Sequence, residues 1–350
     1  MKISTEIVVP VHDQSRPIRR AVESLLCDHE TRALVIAHNI DPGILDIPND
    51  ERVRVERLNG FVGRPGACFN AGIAAAKCKW VGIMGSDDWY EPGALEAMRR
   101  HAIQDKADGV IAPLKHQTQS RNQIKPITLR RKNLHAERDR MFYRTAPLGI
   151  YDRDLLSDYT YRFSSEFPVG EDMRVTALLW TSGKKISYYW NDPAYVVGSD
   201  ANTRVTLAPR PLAESGAPYF ALLKETQVRN FDKKTRHSLA VKMVRIHVLT
   251  AVVLRPSPDQ WKPGDLEWLK KYLKALTDFD RTCYQGLSLR DQRIIWAIRD
   301  GDLADVLSAN KAWKQGNLRE RVFPRNLLAA LTEKDSNLRW ALCKRLREFI

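Results

Sequence analysis

The sequence predicts an α/β protein, with a mainly parallel sheet flanked by helices, followed by an all-α C-terminal domain. In the first half, short β-branched apolar runs alternate with segments of helical periodicity, which is typical of a parallel sheet covered by helices. From about Leu212 onward, the periodic segments carry apolar residues three and four apart. Since 350 residues exceed one average domain, we expect two domains, 1–211 and 212–350, joined by the proline-containing stretch 206–218.

The elements of the first domain follow in chain order. The run "EIVVPV" at 6–11 is almost wholly apolar and predicts a buried strand. In "RPIRRAVESLL", Ile18, Val22 and Leu25 fall on one helical face. The same alternation continues with strands at 33–38 and 52–58, a helix at 65–78, a strand at 80–85, a helix at 94–104 and a β-like stretch at 108–114.

The second domain is predicted to be a set of helices. Helical periodicity covers 238–254, 265–276, 288–300, 302–313 and 337–349. Ser288 and Asp291 have the spacing of a capping-box start for one of these helices. We therefore expect helix-on-helix packing in this part of the chain.

The formal net charge of +14 is unevenly distributed. Between Lys115 and Arg144 nine Lys and Arg stand against two acids, and between Lys224 and Arg255 eight stand against two. Positively charged stretches of this kind attract polyanions, although a solvated surface is the simpler interpretation of either stretch alone.

The cysteines and the apolar runs bear on the compartment. The five cysteines lack CxxC spacing, which indicates neither a disulfide framework nor a zinc site. The sequence shows no leader pattern at its start and no apolar run near the length of a membrane span. We expect a cytoplasmic protein with no transmembrane segment.

Polar residues follow three predicted strands, in "PVHD", "AHNID" and "GSDD". Because ligands of parallel sheets bind outside the carboxyl ends of the strands, these tips converge on one crevice if the strands are neighbours. Asp87 and Asp88 would then lie where a divalent cation could bind oxygen ligands and bridge a diphosphate.

A further acidic pair stands in "GEDMR". Gly170 precedes a helical pattern, so Glu171 and Asp172 fall in the first turn, where the helix dipole favours an ionised carboxylate. Taken alone, the pair is explained as ordinary N-terminal helix acids. Beside the three strand-end motifs, a functional role becomes the stronger interpretation.

In this order the motifs resemble those of the family 2 glycosyltransferases of the GT-A fold. The matching stretches are "VVPVHDQ", "GRPGACFNAGIAAAKCKWVGIMGSDDWYEP" and "GEDMRVTALLW", and the resemblance covers roughly residues 3 to 205. It implies an inverting, metal-dependent transfer of a hexose or pentose from a nucleotide-sugar, expected to be a UDP-sugar, to an acceptor hydroxyl. Mn²⁺ or Mg²⁺ is the implied cofactor.

The resemblance implies a role for each matching residue. Asp172, next to Glu171 in the Glu-Asp motif, is the expected general base. Asp87 and Asp88 are the expected metal ligands. The residues expected around the nucleotide-sugar are Pro10, Val11, His12, Asn39, Asp41, Asn59, Arg64, Asp87 and Arg204.

The chain departs from the family pattern at several positions. Gly85 stands where the first acid of Asp-Ser-Asp-Asp is expected, and "AHNID" replaces Val-Asp-Asp-Gly-Ser at the end of the second strand. Asn70 is expected to be structural. Asp200 is interpreted either as an additional oxygen ligand or as an ordinary turn aspartate.

The sequence leaves the acceptor open. The basic stretches favour a polyanion, either a polyol-phosphate polymer such as wall teichoic acid or a modified base in DNA, and a glycan is a further alternative. The helical domain is expected to bind the acceptor or to form a homo-oligomer. A catalytically inactive GT-A domain that only binds nucleotide or polyanion is the alternative to an enzyme. The retained Asp87, Asp88 and Asp172 favour the enzyme.

Overall fold

The computed structural model describes residues 3–123, 125–200 and 210–348. Contacts between Cα atoms divide the chain into two compact units. The sheet unit comprises Met1–Lys125, Arg130–His135 and Arg144–Ala208, and the helical unit comprises Pro126–Leu129, Ala136–Tyr143 and Pro209–Ile350. Two short segments of the first basic stretch thus belong to the helical unit. The domain boundary after residue 211 stays a prediction.

The described strands and helices of the sheet unit alternate only in part, and several strands follow one another directly along the chain. The strands are β1 Thr5–Val11, β2 Thr31–His38, β3 Val53–Leu58, β4 Trp80–Ile83, β5 Trp89–Tyr90, β6 Gly109–Ile111, β7 Leu114–His116, β8 Gly149–Asp152, β9 Ile186–Tyr188 and β10 Tyr195–Val197. The helices are α1 Ile18–Leu26, α2 Pro65–Ala75, α3 Ala94–Asp105, α4 Arg153–Ser157 and α5 Asp172–Trp180.

The main sheet has seven strands in the order β3-β2-β1-β4-β8-β6-β9. The first four are parallel neighbours, β8 is antiparallel to both β4 and β6, and β6 pairs with β9 in parallel. A second sheet has the order β5-β10-β7. The predicted fold class, a mainly parallel sheet flanked by helices and followed by a helical region, is confirmed.

Strand β1 is covered on both faces, which explains its nearly continuous apolar sequence. Val9 belongs to one buried cluster with Val22 of α1 and Met98 of α3. Val8 points to the opposite face, where a Cβ at position 72 of α2 would collide with its side chain. Glycine at position 72 therefore lets α2 pack closely on β1. Complete burial of each such valine contributes about 1.5–3 kcal/mol to folding.

The described helices of the second half include one or more in each of the five predicted periodic segments. They are α6 Leu212–Ser215, α7 Ala217–Leu222, α8 Thr226–Arg229, α9 Lys233–Met243, α10 Leu249–Val253, α11 Asp265–Phe279, α12 Leu289–Asp300, α13 Leu303–Gln315, α14 Leu318–Val322, α15 Leu327–Thr332 and α16 Asn337–Glu348. Of these, α6, α7, α8, α14 and α15 are short helices that were not predicted. A π-helical turn, Val244–Val248, joins α9 to α10. Ser288 caps α12 by accepting a hydrogen bond from the backbone N–H of Asp291, as predicted. None of the helices described here has both the length and the apolar character of a membrane span.

Candidate functional site

The structure brings the three predicted strand ends to one edge of the sheet. Strand β1 lies between β2 and β4, and all three are parallel, so their carboxyl ends share that edge. His12 follows β1, and its pKa is lowered by burial and then by the charge of Arg16. The charges of His38 and Asp87 also act on His12, so groups from all three strand ends influence one another there.

Arg16, in the turn between β1 and α1, is paired with Asp87. Its Nη2 lies 2.5 Å from Oδ1 of Asp87, and its Nε donates to Oγ of Ser86 at 3.1 Å. The pair is largely buried, with each side chain 11% exposed. A guanidinium and a carboxylate therefore meet at the tip of β4, where the sequence predicted binding of the diphosphate.

Arg20 of α1 also contacts the loop after β4 that carries Asp87. Its Nη2 donates to the backbone oxygen of Asp87 at 2.7 Å, and its two Nη atoms reach the carboxylate of Asp200 at 2.5 and 2.9 Å. Hydrogen bonds from Arg20 are the main reason why the pKa of Asp200 falls to about 2. The guanidinium also stacks 4.2 Å above the ring of Trp89. Asp200 is therefore tied to Arg20 in this conformation.

Asp88 points into the protein and anchors β10. Its Oδ2 accepts a hydrogen bond from the hydroxyl of Tyr195 at 2.5 Å, and its Oδ1 accepts one from the backbone N–H of Gly198 at 2.8 Å. Burial, followed by the charge of Asp87, raises the pKa of Asp88 to about 6. Both oxygens of Asp88 thus have donors within the chain, and its role as a metal ligand stays a prediction.

Gly85 has a steric reason to be glycine. Its backbone N–H donates to the hydroxyl oxygen of Tyr195 at 3.0 Å. A Cβ at this position would lie 2.6 Å from Oδ2 of Asp88, which is closer than real contacts allow. The missing first acid of the family motif is therefore coupled to the inward position of Asp88. No sequence motif pointed to Tyr195, whose hydroxyl joins Gly85 to Asp88.

The end of β2 is hydrogen-bonded to the loop between β3 and α2. The side-chain amide of Asn39 donates to the backbone oxygen of Gly60 at 2.9 Å and accepts from its N–H at 2.7 Å. Asn39 has a φ of 54°, a left-handed conformation that asparagine tolerates better than most residues. Asp41 is exposed and pairs with Arg57 at 2.6 Å. Both residues stay candidates for nucleobase contact, although each already has a partner.

The remaining nucleotide-sugar candidates differ in exposure. Val11 is fully buried and Pro10 is half-buried, so Val11 supports the edge without reaching solvent. Asn59 is exposed, and Arg64 is half-buried at the residue before α2. Arg204 lies outside the described residues. Their roles stay predictions.

Asp172 is the first residue of α5, and Glu171 precedes it as the N-cap residue. Burial raises the pKa of Glu171. The backbone oxygen of Glu171 accepts a hydrogen bond from the N–H of Ser164 at 3.0 Å, which closes the loop that leads into α5. The predicted position of Asp172 in a first helical turn is confirmed.

Helix α2 positions the segment before α5. The side-chain amide of Asn70 donates to the backbone oxygen of Phe163 and accepts from its N–H, both at 2.9 Å. A Cβ at position 66 would collide with the backbone oxygen of Ser164. Asn70 is structural, as expected, but it orders the segment that leads to Asp172 and not the loop before its own helix.

A metal site can be considered from the donor set. Among the described residues, no group of three or more His, Cys, Asp and Glu is placed to hold a metal ion by itself. The carboxylate of Asp87, at the strand edge, is a hard oxygen donor. Mg²⁺ in nucleotide sites is commonly held by one or two carboxylates together with substrate phosphates. Asp87 fits such a shared arrangement.

The basic stretches contribute less surface charge than their composition indicates. Arg144 is buried and donates to the backbone oxygens of Ala112 and Leu148. Arg140 is buried and pairs with Asp335 at 3.2 Å within the helical unit. Lys242 is fully buried as well. Several of the cations counted in the sequence therefore lie in the interior and not on the surface.

Comparisons with known proteins show which sequences this chain resembles. Residues 6–160 match the family model described as glycosyl transferase family 2. The chain is 22% identical over 329 residues to the poly(ribitol-phosphate) beta-N-acetylglucosaminyltransferase TarP of Staphylococcus aureus (strain N315), covering 87% of this chain and 98% of TarP. It is 33% identical over 110 residues to the succinoglycan biosynthesis protein ExoO of Rhizobium meliloti (strain 1021), covering 30% of this chain and 31% of ExoO.

Solved structures resemble both units of the chain. The crystal structure of S. aureus TarS 1-349 in complex with UDP-GlcNAc matches with a TM-score of 0.71 at 16% identity, covering 90% of this chain and 92% of that chain. A further S. aureus TarS structure matches with a TM-score of 0.65 at 16% identity, covering 88% of this chain and 55% of that chain. At this level of identity the likeness shows a shared fold.

Proposed function

We propose that this chain, which is a family 2 glycosyltransferase with the GT-A fold, transfers a sugar from a UDP-sugar to a hydroxyl of a polyol-phosphate polymer. The observation that carries the proposal is the edge formed by the ends of β1, β2 and β4. There Asp87, Arg16 and Arg20 are joined in one network. Family membership favours an enzyme over the inactive binding domain that the sequence left open.

The arginines suit the diphosphate of the donor. Guanidinium groups bind phosphate oxygens through paired, charge-assisted hydrogen bonds, and both Arg16 and Arg20 contact the loop after β4 with such groups. Their positive charge would stabilise the negative charge that develops on the leaving nucleoside diphosphate. The choice of a uridine nucleotide is supported by TarS, whose structure was solved in complex with UDP-GlcNAc.

Asp87 is the residue that would hold a divalent cation together with the donor phosphates. When bound, Mn²⁺ or Mg²⁺ would supply Lewis-acid stabilisation of the diphosphate. Arg16 contacts Oδ1 of this carboxylate, so binding of the donor would let Arg16 exchange Asp87 for a phosphate oxygen. Asp88 would support this loop through Tyr195 and Gly198.

Asp172 is the proposed general base. It lies at the start of α5, where the helix dipole favours its ionised form, by about 0.3–1 kcal/mol for an exposed group. It would accept the proton of the acceptor hydroxyl as that oxygen attacks the anomeric carbon of the sugar. Direct displacement inverts the configuration at that carbon. The hydrogen bonds of Asn70 to Phe163 would keep the segment before Asp172 in place.

The acceptor is proposed from the relative that aligns over nearly its whole length. TarP is described as a poly(ribitol-phosphate) beta-N-acetylglucosaminyltransferase, and 98% of TarP aligns with this chain. We therefore choose a polyol-phosphate polymer over a modified DNA base or a neutral glycan. The burial of Arg140, Arg144 and Lys242 weakens the case for a broad nucleic-acid surface.

A donor and acceptor panel tests this function. Purified protein would be incubated with Mn²⁺ or Mg²⁺, one of several nucleotide-sugars, and poly(ribitol-phosphate), duplex DNA or a neutral glycan. We expect nucleoside diphosphate release and sugar incorporation with a UDP-sugar and the polyol-phosphate polymer. Transfer to DNA or to the glycan alone would overturn the acceptor, and no release with any donor would overturn the activity.

A further inference from the structure

The helical unit contains a cleft of about 380 Å³, formed wholly by residues of that unit. Four cations and two indoles are prominent in its lining: Arg245, Arg290, Arg321, Lys344, Trp313 and Trp340. They come from the π-helical turn and from α12, α13, α14 and α16. The volume falls within the usual range of about 300–1,000 Å³ for small-ligand sites.

The cations of this cleft are not neutralised by carboxylates. Arg245 donates to the backbone oxygen of Asp335 at 2.6 Å and to Oδ1 of Asn337 at 2.8 Å. Arg290 and Arg321 donate to backbone oxygens, at 3.2 and 2.6 Å. In the part of the chain that the structure describes, none of these arginines forms an ion pair, and neither does Lys344. Their hydrogen bonds orient the guanidinium groups without cancelling the charge.

One acid lines the cleft, and neutral groups already bind it. Oδ1 of Asp291 accepts from Nε1 of Trp313 at 2.7 Å. Its Oδ2 accepts from Oγ of Ser288 at 2.6 Å and from Nδ2 of Asn337 at 3.0 Å. Four cations against one carboxylate leave the cleft with an excess of positive charge.

The aromatic rings hold two of the arginines in place. Arg290 lies 4.1 Å above the ring of Trp313, and Arg245 lies 4.7 Å above the ring of Trp340. Nε of Arg290 is buried without a hydrogen-bond partner among the residues that the structure describes. Burial lowers the pKa of Arg290, and the charge of Arg321 acts in the same direction while Asp291 opposes it. A bound anion would accept a hydrogen bond from the buried Nε of Arg290, and its negative charge would reduce the repulsion between Arg290 and Arg321.

We propose that this cleft binds a phosphate ester. Tetrahedral phosphate oxygens can accept hydrogen bonds from several guanidinium groups at once, whereas a carboxylate offers two oxygens in one plane. The indole rings offer apolar surface for the carbon portion of the ester. The ligand is either a phosphodiester unit of a polymer or a small phosphorylated molecule, since both carry the same group. The proposal does not rest on the sugar-transfer activity.

Calorimetric titration of the full chain at low salt tests the site. The probes are inorganic phosphate, ribitol 5-phosphate and a short poly(ribitol-phosphate) oligomer, added without nucleotide-sugar. The cleft variants are Arg321→Gln and Lys344→Gln, two residues with exposed side chains. The matched control is Arg293→Gln, which lies on α12 outside the cleft and pairs with Glu320 at 2.7 Å.

We expect saturable binding by the parent, weakened about 10-fold by each cleft substitution and unchanged by the control, because each removes one charge-assisted contact. Thermal unfolding of each variant checks that the fold is kept. Equal affinity for ribitol 5-phosphate and the oligomer assigns a small phosphorylated ligand, and a clear preference for the oligomer assigns a polymer. No saturable binding of any probe, or equal weakening by Arg293→Gln, would overturn the proposal. The calorimetric measurement needs no enzyme turnover. Its result therefore tests phosphate binding by the cleft even if the proposed sugar-transfer function is wrong.

Discussion

Nη2 of Arg16 lies 2.5 Å from Oδ1 of Asp87, and this pair joins the turn after β1 to the loop after β4. Both side chains are largely buried, so the ion pair is screened less than a surface pair would be. The arrangement places the guanidinium that we propose to bind phosphate directly against the carboxylate proposed to share a cation with the donor. Affinity for the donor should therefore depend strongly on Arg16.

Replacing Arg16 with Gln should raise the KM for the nucleotide-sugar about 10-fold or more, because one charge-assisted contact to phosphate is lost. Steady-state kinetics and calorimetric binding of UDP measure the effect. The control is Arg19→Gln in the first turn of α1, whose exposed side chain pairs with Asp46. An unchanged KM for Arg16→Gln, or an equal change in the control, would contradict the assignment.

Removing the hydroxyl of Tyr195 should destabilise the protein by about 1–3 kcal/mol, because Tyr195→Phe leaves the buried carboxyl of Asp88 without one donor. Tyr90→Phe is the matched control. Tyr90 is equally buried, its ring packs edge-on against Tyr195 at 5.1 Å, and its hydroxyl has no hydrogen-bond partner within the described part of the chain. Denaturant unfolding of both variants compares the two losses. Equal stabilities would argue against the Tyr195–Asp88 contact.

Restoring the family acid with Gly85→Asp should not improve the enzyme. The new Cβ would lie 2.6 Å from Oδ2 of Asp88, so the loop must shift, at a cost of about 1–3 kcal/mol. We expect lower thermal stability and lower transfer activity. Gly43→Ala is the control, since the nearest atom to its Cβ is 3.7 Å away. Higher activity in Gly85→Asp with unchanged stability would show that this steric interpretation is wrong.

The helical unit should lose stability in mildly alkaline solution because of His237. Burial acts to lower the pKa of His237, but hydrogen bonds to Asp280 and Glu333 outweigh it and raise the pKa to about 10. The folded state therefore holds the proton more tightly than the unfolded state, whose His pKa is about 6.5. The stabilisation is complete below pH 6.5 and is lost as the pH rises through 10.

Unfolding measured from pH 6 to pH 10 tests this prediction. The parent should lose stability over that range, and His237→Gln should be less stable at pH 6 but should show a flatter dependence. His116→Gln, in the sheet unit, serves as the control histidine substitution. If the parent and His237→Gln had parallel pH profiles, the three groups would not be coupled as the structure indicates.

The long strands and helices of this fold could be predicted from sequence because their apolar runs or helical periodicity extend over many residues. Strands β1 and β2 are seven and eight residues of nearly continuous apolar sequence, and α11 and α12 show clear helical periodicity. Strand β5 has two residues and β10 has three, which are too few for any periodicity to emerge. The second sheet therefore depends on tertiary pairing that no local pattern reveals.

The site shows the same limit. The strand-end motif "GSDD" predicted where Asp87 lies, and the helix-start pattern "GEDMR" predicted where Asp172 lies. Tyr195 was missed because its contact with Asp88 joins residues 107 positions apart. Charge counting treated Arg140 and Arg144 as part of a cationic field, whereas tertiary packing buries both. The amino-acid composition records the charge of a side chain but not whether that side chain is buried or exposed.

The most direct test of the proposed chemistry is the rate of acceptor-dependent UDP release by Asp172→Asn at saturating UDP-sugar and poly(ribitol-phosphate). Asp154→Asn is the control, because its side chain is 83% exposed in the first turn of α4. With UDP binding and thermal stability unchanged, we expect kcat of Asp172→Asn to fall about 10²–10⁴-fold, as loss of a general base predicts, and the control to keep the parental rate. A folded, UDP-binding Asp172→Asn that releases UDP as fast as the parent would contradict the assignment of Asp172 as the base.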